Sequence, residues 1–379
     1  MNVLVLGCGL VGRPMALDLA NDESFNVTVA DINLKNLKKI PASLPIKKMQ
    51  KDLSNPDQLK SLLKKADIVV NAVPGFMGFN TLKEIIKSKK DVVDIAFFPE
   101  NPFELDELAK ENNVTAIVDC GVAPGMSNLL AGYVNSILDK TETILIYVGG
   151  LPVKREYPFE YKAPFSPIDV IEEYTRPARY VENGKLVIRP ALSDPELINF
   201  DEIGTLEAFN SDGLRTLAET LIVPNMKEKT LRYPGHIEKM KVLRESGFFS
   251  KDEIEINGVK IKPIDFTSKL LFPIWELKEG DEEFTVMRIV IEGEKDKKKI
   301  RYTYNLLDRH DKITNIHSMA RTTGYTATSA VRMLAKGLFD QKGICPPEFI
   351  GQKSECVEFM LKELKDRGVM YNQVIEKLG

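Results

Sequence analysis

The feature that most constrains the fold is a glycine-rich turn near the amino terminus. An apolar segment, Asn2–Leu6, is followed by Gly-Cys-Gly-Leu-Val-Gly at residues 7–12, and a helical pattern opens at Val11. Gly7 permits a tight turn, Gly9 lets the backbone approach a diphosphate, and Gly12 allows the helix to pack closely on the strand. The N–H groups and the dipole at the start of that helix favour bound phosphates. We therefore expect a dinucleotide-binding turn with contacts from Gly7, Gly9, Leu10, Val11 and Gly12.

An acidic residue completes this motif. Asp31 ends the second predicted strand, at the spacing of about 20 residues that is typical of the ribose-binding acid. A carboxylate there accepts hydrogen bonds from the adenosine ribose hydroxyls and repels a 2′-phosphate. The sequence Asp31-Ile32-Asn33 has no adjacent arginine to bind such a phosphate. We therefore predict NAD as the cofactor in preference to NADP.

Other strand ends should line the same crevice, because ligands of open α/β sheets bind beyond the carboxyl ends of the strands. We expect Asp52 and Leu53 to meet the adenine, although Asp52 fits a helix cap equally well. The other predicted cofactor contacts are Asn71, Ala72, Val73, Asp94, Gly121 and Ala123. The turn that begins at Gly121 should present free N–H groups to the nicotinamide end, or serve only as a capped connector.

The apolar pattern predicts an α/β fold. Short apolar runs first alternate with helical patterns, which is typical of a doubly wound parallel sheet. Beyond Gly121 the strands lengthen and alternate, which suggests an antiparallel sheet with a hairpin of Phe284–Ile291 and Lys299–Asn305. We predict a Rossmann-type sheet over residues 1–122, an inserted α+β catalytic domain with a mixed or antiparallel sheet over 123–317, and helices of 318–379 that return to the first domain. The predicted strands of the first domain are Asn2–Leu6, Asn26–Ala30, Pro45–Met49, Asp67–Val73, Asp91–Ile95 and Val114–Asp119.

Composition argues against several classes of function. The net charge of −3 provides no positive field for nucleic acid. No apolar run reaches the roughly 18 residues needed to cross a bilayer, and the lack of a leader segment predicts a cytoplasmic protein. The three histidines, His310 and His317 among them, and the four cysteines lack the spacings typical of metal ligands, so we expect no metal.

Three further motifs carry a resemblance to a known family. They are Gly149-Gly150-Leu151-Pro152, Tyr161-Lys162-x-x-Phe165-Ser166-Pro167 and Thr230-Leu231-Arg232-Tyr233. With the glycine turn, and in this order, they resemble the motifs of the saccharopine dehydrogenase family. The resemblance implies a dehydrogenase that acts on a carbon–nitrogen bond of a small amine or amino acid. It also implies a homodimer built on the sheet of the second domain.

Departures from that family bear on the substrate. Saccharopine reductases usually carry Asn-Arg-Asp-Ser where this chain has Asn210-Ser211-Asp212-Gly213. A guanidinium is the natural bidentate partner of a carboxylate, so its loss predicts that the larger glutamate-conjugated substrate is not used. Val148 stands where those enzymes commonly carry a cysteine, and Ala123 stands where they carry an acidic residue. Their proposed acid–base groups therefore cannot be carried over.

The chain resembles most the L-lysine 6-dehydrogenase branch of the family. That resemblance implies NAD-dependent oxidation of the lysine side-chain amine to 2-aminoadipate 6-semialdehyde, which cyclises to piperideine-6-carboxylate, with release of ammonia. Two alternatives remain open. One is a saccharopine or carboxyspermidine dehydrogenase, and the other is a catalytically silent NAD-binding regulator.

Amine oxidation itself sets the chemical requirements. Hydride must leave a carbon that bears a neutral amine, so a base must first remove a proton. Lys162 could be that base if burial favoured its neutral form, and Tyr161 or His236 could relay the proton. Arg215 or Arg232 could bind the substrate α-carboxylate, and Asp94 or Asp212 could bind its α-ammonium. Each candidate also has a structural explanation, as a solvated charge, a packed aromatic ring or the first residue of a helix.

Overall fold

The structure is a computed structural model that describes residues 1–278 and 280–378. The chain forms two compact units. The first contains residues 1–138 and 319–371, and the second contains residues 139–318 and the segment from Asn372 onward. Among the described residues, no helix combines the length and the apolar character needed to cross a membrane.

The strands of the first unit are short, and those of the second include three of twelve or more residues. They are β1 (Asn2–Leu6), β2 (Asn26–Asp31), β3 (Ile46–Gln50), β4 (Ile68–Asn71), β5 (Asp91–Asp94), β6 (Thr115–Ile117), β7 (Lys140–Pro152), β8 (Ala178–Glu182), β9 (Lys185–Arg189), β10 (Glu196–Phe200), β11 (Gly204–Asn210), β12 (Asn225–Arg232), β13 (Ile254–Ile256), β14 (Val259–Ile261), β15 (Glu283–Lys295), β16 (Lys298–Arg309), β17 (Gly343–Cys345) and β18 (Tyr371–Lys377).

The helices lie between these strands, and a 3₁₀ turn, Pro102–Leu105, precedes α5. They are α1 (Gly12–Ala20), α2 (Leu34–Lys38), α3 (Pro56–Leu63), α4 (Gly75–Lys87), α5 (Asp106–Glu111), α6 (Met126–Ile137), α7 (Pro167–Thr175), α8 (Leu217–Thr220), α9 (His236–Glu245), α10 (Pro263–Trp275), α11 (Ser318–Ala335), α12 (Pro347–Gly351) and α13 (Ser354–Asp366).

The first unit is built on a parallel sheet in the order β17-β6-β5-β4-β1-β2-β3. Six of these strands follow the doubly wound order, so the predicted Rossmann-type fold is confirmed. The sequence analysis missed β17, because its three residues are too few to show a pattern. Buried apolar side chains fill the space between sheet and helices, with Leu4, Val69 and Ile85 among them.

The second unit is built on a sheet in the order β10-β11-β12-β7-β15-β16-β18, with β8 and β9 attached through β12. Of the predicted alternatives, a mixed or an antiparallel sheet, the sheet is the mixed one, because β7 and β12 run parallel whereas β15 runs antiparallel to both β7 and β16. The predicted hairpin is confirmed over its full length as β15 and β16. Asp296 and Lys297 form its turn with φ values of 51° and 60°, as a tight hairpin turn of the I′ type requires.

Helices α7, α9 and α10 contribute side chains to one core cluster of the second unit. The sequence indicated only the start of α9, as the alternative explanation for His236. Val170, Ile237 and Leu271 pack with aromatic side chains into a single core cluster. Trp275 is fully buried in that cluster. Pro167 and Pro263 occupy first turns, where a proline is a helix-start signal, and only Pro273, inside α10, interrupts the helical pattern in the sequence.

Candidate functional site

The glycine turn between β1 and α1 is close-packed on one side and open on the other. Gly7 has φ +99°, and a Cβ there would lie 2.4 Å from the Ala72 carbonyl oxygen. A Cβ on Gly12 would lie 2.3 Å from the Gly7 carbonyl oxygen. A Cβ on Gly9 would meet nothing within 4 Å. The two outer glycines therefore pack the turn, and Gly9 leaves its backbone open for a diphosphate to approach, as expected.

The helix that follows begins one residue later than expected. Val11 is the N-cap, and α1 starts at Gly12. Arg13 and Met15 donate their N–H groups to the carbonyls of Gly9 and Val11. Leu10, predicted to contact the cofactor, is exposed at the outer edge of the turn.

The Asp31 carboxylate lies beside the glycine turn. One of its oxygens accepts the Cys8 N–H at 2.7 Å, and the other accepts the Asn33 N–H at 2.6 Å. Each carboxylate oxygen has two lone pairs, so both oxygens can still accept a ribose hydroxyl. Burial raises the pKa of the Cys8 thiol to about 11, so the thiol is neutral next to this carboxylate. The structure therefore brings together the turn and the acid that the sequence predicted as a pair.

Asp52 and Leu53, the cofactor contacts predicted after β3, lie in different surroundings. Asp52 accepts both the N–H and the hydroxyl of Ser54, and these bonds lower the pKa of the Asp52 carboxyl. The cap of α3 is Asn55, so Asp52 closes a turn and does not cap the helix. Leu53 packs in the core.

Asn71 and Asp94 form a buried pair at the ends of β4 and β5. The Asn71 side-chain amide donates to Asp94 at 2.6 Å, and the other Asp94 oxygen accepts the Ala96 N–H at 2.6 Å. Both side chains are completely buried. Ala72 and Val73 follow β4, where the Ala72 carbonyl packs against Gly7.

The turn at Gly121 is closed on itself. The N–H of Gly121 donates to the Pro124 carbonyl, and those of Met126 and Ser127 donate to Gly121 and Val122. These three N–H groups were expected to be free and instead bond within the turn. Ala123 lies partly buried within the same turn. The geometry is that of a well-capped connector, the alternative left open by the sequence.

In the second unit, Arg232 is the centre of a buried polar cluster. Its guanidinium donates to Glu173 at 2.5 Å and to the Tyr174 hydroxyl at 3.1 Å, and it lies 4.4 Å from the centre of the Tyr161 ring. The Arg232 side chain is only 2% exposed. Burial raises the pKa of the Glu173 carboxyl, although Arg232 opposes that shift. The Arg232 charge is thus paired with the Glu173 carboxylate inside the cluster.

His236 belongs to the same cluster and is the first residue of α9. Its Nδ1 lies 2.8 Å from the Phe159 carbonyl oxygen, and its Nε2 lies 3.0 Å from the Tyr174 hydroxyl. A carbonyl only accepts, so Nδ1 carries the proton and Nε2 accepts from Tyr174. Burial, followed by Arg232, lowers the pKa of His236 to about 3. The ring is therefore neutral, and both nitrogens are already engaged.

Tyr161 and Lys162 are adjacent in sequence but point to different partners. Tyr161 packs edge-on against Trp275 and beside His236, and burial raises the pKa of its hydroxyl. The Lys162 amine donates to the Ile274 carbonyl at 3.0 Å and lies 3.5 Å from a Glu156 oxygen. Lys162 is therefore buried, and its amine is held between the end of α10 and Glu156.

A second charged group surrounds the loop after β11. Asp212 accepts two hydrogen bonds from the Arg179 guanidinium, at 2.8 and 3.1 Å. Arg215 is buried and has φ +52°. Burial, followed by repulsion from Arg215, lowers the pKa of Arg176. This loop brings cationic and anionic side chains together, as binding of a zwitterion requires.

The sequence analysis missed Glu173, Tyr174, Arg176, Arg179 and Glu228. The segment from Pro167 to Thr175 carries a signal, because a proline at the first turn precedes apolar residues at helical spacing. That pattern would have placed Glu173 and Tyr174 on a packed helix. Nothing local marks Glu228, whose partners lie elsewhere in the chain.

Metal ligands do not assemble within the described ranges, 1–278 and 280–378, where no three histidine, cysteine or acidic side chains form a suitable group. His310 and His317 do lie together, with their Nδ1 atoms 3.1 Å apart.

Comparison with known proteins gives two consecutive matches to family models. Residues 3–117 match the NADP binding domain of saccharopine dehydrogenase, and residues 121–369 match the saccharopine dehydrogenase C-terminal domain. The resemblance read from the motifs is thereby confirmed. The finer resemblance to L-lysine 6-dehydrogenase is not tested by these matches.

Individual proteins agree with this assignment. The chain is 31% identical to a saccharopine dehydrogenase [NADP(+), L-glutamate-forming] of Pyricularia oryzae over 66% of its own length and 59% of that protein. It is 24% identical to a carboxyaminopropylagmatine dehydrogenase of Synechocystis, over 98% and 97% of the two chains. The apo saccharopine dehydrogenase (L-Glu forming) of Saccharomyces cerevisiae has the same fold, with a TM-score of 0.79, 21% identity and 99% of each chain covered. The chain thus spans less than two thirds of the length of its fungal relative. Because the two family models together cover most of its residues, the chain belongs to the saccharopine dehydrogenase family.

Proposed function

We propose that the protein is an NAD-dependent dehydrogenase that oxidises the side-chain amine of L-lysine to an imine. Water then hydrolyses the imine to 2-aminoadipate 6-semialdehyde and ammonia. The observation that carries the proposal is the Asp31 carboxylate, hydrogen-bonded to the glycine turn through the Cys8 N–H. This arrangement places a ribose-binding acid beside an open Gly9 backbone. Membership of the saccharopine dehydrogenase family supports chemistry at a carbon–nitrogen bond.

The first unit fits a dinucleotide. Gly9 leaves room for the diphosphate, and Asp31 has acceptor capacity for the ribose hydroxyls. When bound there, the nicotinamide supplies the group that accepts hydride. We propose NAD and not NADP, because the carboxylate of Asp31 would face a 2′-phosphate. The printed names of the fungal relative and of the family model refer to NADP, so this choice needs a direct test.

The second unit supplies the charges that an amino acid head group requires. We propose that Arg215, supported by Arg176, binds the α-carboxylate, because a guanidinium is the matching donor for a carboxylate. Asp212 binds the α-ammonium by exchanging part of its contact with Arg179. Ser211, which replaces an arginine of saccharopine reductases, donates to a buried glutamate and offers no cation for a second carboxylate. A free amino acid therefore suits this loop better than a glutamate conjugate.

Proton removal is assigned to Lys162. Its amine is buried and near Glu156, which can share the proton that the amine accepts. His236 is neutral and fully engaged, so it orients Tyr174 within the cluster and does not receive the substrate proton. The Lys162→Met variant should lose at least about 100-fold in kcat, within the range of a general base. An unchanged pH–rate profile in that variant would remove Lys162 from the mechanism.

The substrate is tested with the purified chain, L-lysine and NAD, by following NADH formation. Nα-acetyl-lysine, which lacks the α-ammonium, should be a substrate with a KM raised by about 10-fold or more, since one charged hydrogen bond is lost. Asp212→Asn should raise the KM for lysine and erase the difference between the two substrates. Glu207→Gln, on neighbouring strand β11, is the matched control. No NADH formation with lysine would reject the proposed substrate.

The cofactor is tested with Asp31→Asn, which removes the charge and keeps an acceptor. The preference for NAD over NADP, measured as a ratio of kcat/KM values, should fall at least about 10-fold. A wild-type protein that uses NADP as well as NAD would contradict the assignment to NAD.

A second candidate is a dehydrogenase of a conjugated amine. The match to carboxyaminopropylagmatine dehydrogenase favours it, because it covers nearly the full length of both chains. Such an activity would appear as NADH consumption when an aldehyde is supplied together with a diamine or with glutamate. Coupling without oxidation of lysine would replace the first proposal with this one. Binding of NAD with no turnover of any amine would indicate a regulator.

A further inference from the structure

Glu228 is a buried acid that the proposed chemistry does not use. It lies in the middle of β12, and only 4% of its surface is exposed. One loop makes three hydrogen bonds to this residue. The Ser211 hydroxyl and the Gly213 N–H donate to the same carboxyl oxygen at 2.6 and 3.1 Å, and the Ser211 N–H donates to the Glu228 carbonyl at 3.4 Å.

The loop lies directly on the Glu228 carboxyl group. A Cβ on Gly213 would be 2.3 Å from the carboxyl carbon and 2.4 Å from the bonded oxygen. A side chain at position 213 would therefore require the Glu228 carboxyl group to shift. Ser211 is further held by Thr230, whose hydroxyl lies 2.7 Å from its own. The backbone of the loop is therefore placed by the side chains of β12.

The same loop carries the charges assigned to the amino acid head group. Asp212 lies between the two residues that donate to the Glu228 carboxyl, and Arg215 follows within the loop. Arg215 adopts a left-handed backbone conformation, which an arginine holds only when its surroundings impose it. A shift of the loop would move both charges together.

The surroundings of Glu228 favour its neutral form. Burial, with Glu173 and Asp212 as neighbouring carboxylates, raises its pKa to about 8. A neutral carboxyl accepts hydrogen bonds through its carbonyl oxygen, as a glutamine side chain does. Glutamine should therefore replace Glu228 with both loop bonds intact, whereas alanine removes them.

We infer that Glu228 is a positioning residue that anchors the loop Ser211–Arg215 and thereby sets the affinity for a small ligand with both an ammonium and a carboxylate group. The choice of ligand rests on the proposed function. The anchoring of the loop rests only on the hydrogen bonds to Glu228 and is independent of the proposed function.

Anchoring is tested on the full-length chain by hydrogen–deuterium exchange of the peptide that contains Ser211 and Gly213. Glu228→Ala should raise exchange of this peptide at least about 10-fold, because each bond to the carboxyl contributes protection of the order of one hydrogen bond. Glu228→Gln should stay within about 3-fold of wild type. Glu207→Ala is the control, since Glu207 accepts the Gly235 N–H and should change exchange only there. The anchoring would be refuted if exchange is unchanged in Glu228→Ala. It would also be refuted if Glu228→Ala and Glu228→Gln raise the exchange equally.

Ligand binding is tested with the same variants and L-lysine. Glu228→Ala should raise the KM for lysine about 10-fold, with kcat and the KM for NAD within about 3-fold of wild type, and Glu228→Gln should restore the KM. A fall in kcat without a change in KM would reject the role in binding. Ser211→Ala is used if Glu228→Ala does not fold. It removes one bond to the Glu228 carboxyl together with the bond to Thr230, keeps the Gly213 bond, and should raise the same exchange by a smaller factor. If the wild type does not oxidise lysine, the proposed function fails, and the exchange experiment still decides the anchoring.

Discussion

Replacing Glu228 by glutamine should change how the stability of the second unit depends on pH. The native pKa of about 8 lies above the ordinary glutamate value of 4.5, chiefly because the side chain is buried. Between these two values the unfolded chain binds fewer protons at this position than the native chain. The free energy of unfolding therefore falls as pH rises through this window. The stabilisation that the proton on Glu228 provides is fully present below about pH 4.5. It is lost once the pH has passed the native pKa of about 8.

The magnitude follows from the size of the shift. Each pKa unit corresponds to about 1.4 kcal/mol, so a shift of this size amounts to about 5 kcal/mol. Glutamine has no proton to lose. The free energy of unfolding of Glu228→Gln, minus that of wild type, should therefore increase by about 5 kcal/mol between pH 4 and pH 9.

The assay is equilibrium unfolding in denaturant, followed by the fluorescence of Trp275. Trp275 is the only tryptophan of the chain and is buried in the core of the second unit, so it reports the unfolding of that unit. Glu207→Gln, on the neighbouring strand, is measured in parallel. A stability difference that changes by less than about 1 kcal/mol across the range would refute the reasoning, and so would an identical pH dependence in the Glu207 variant.

Other substitutions test the glycine turn and the buried cluster. Gly12→Ala places a Cβ against the Gly7 carbonyl and should destabilise the first unit by about 1–3 kcal/mol in thermal unfolding. Gly9→Ala should leave stability within about 1 kcal/mol of wild type, because its Cβ meets nothing, but should weaken NAD binding at least about 10-fold in calorimetry. Undiminished NAD binding in Gly9→Ala would argue against a diphosphate at this turn. Arg232→Met leaves the partly buried Glu173 without its cation and should cost about 1–3 kcal/mol in denaturant unfolding. A loss below about 1 kcal/mol would show that this ion pair contributes little.

The cofactor region could be predicted because its signals are local. The glycine turn, the strands on either side of it and Asp31 all lie within one β-α-β segment. In such a segment the strand and helix patterns leave few arrangements of the chain, and the glycines mark where backbone approaches backbone. The hydrogen bond between Cys8 and Asp31 was not foreseen, although both residues lie in the predicted segment.

The second unit could be predicted only in part. The motifs located Tyr161 and Arg232, and His236 was a further candidate just beyond the last motif. The structure brings all three into one cluster. Their immediate partners, Glu173 and Tyr174, come from a helix that the sequence analysis did not assign. Which atom of His236 carries the proton follows from the Phe159 carbonyl, and no sequence pattern specifies that contact.

By itself, the sequence determined the alternation of strands and helices in the first unit, the phosphate-binding turn and its acidic partner. These depend on residues near one another in the chain, where backbone sterics and apolar periodicity act directly. Only the tertiary structure decided that Glu228, uncharged and buried, lies under the loop of Ser211 and Gly213, and that β7 and β12 run parallel. The physical reason is that burial and the hydrogen bonds formed across the sheet set the charge and position of such groups, and both arise from segments distant in sequence.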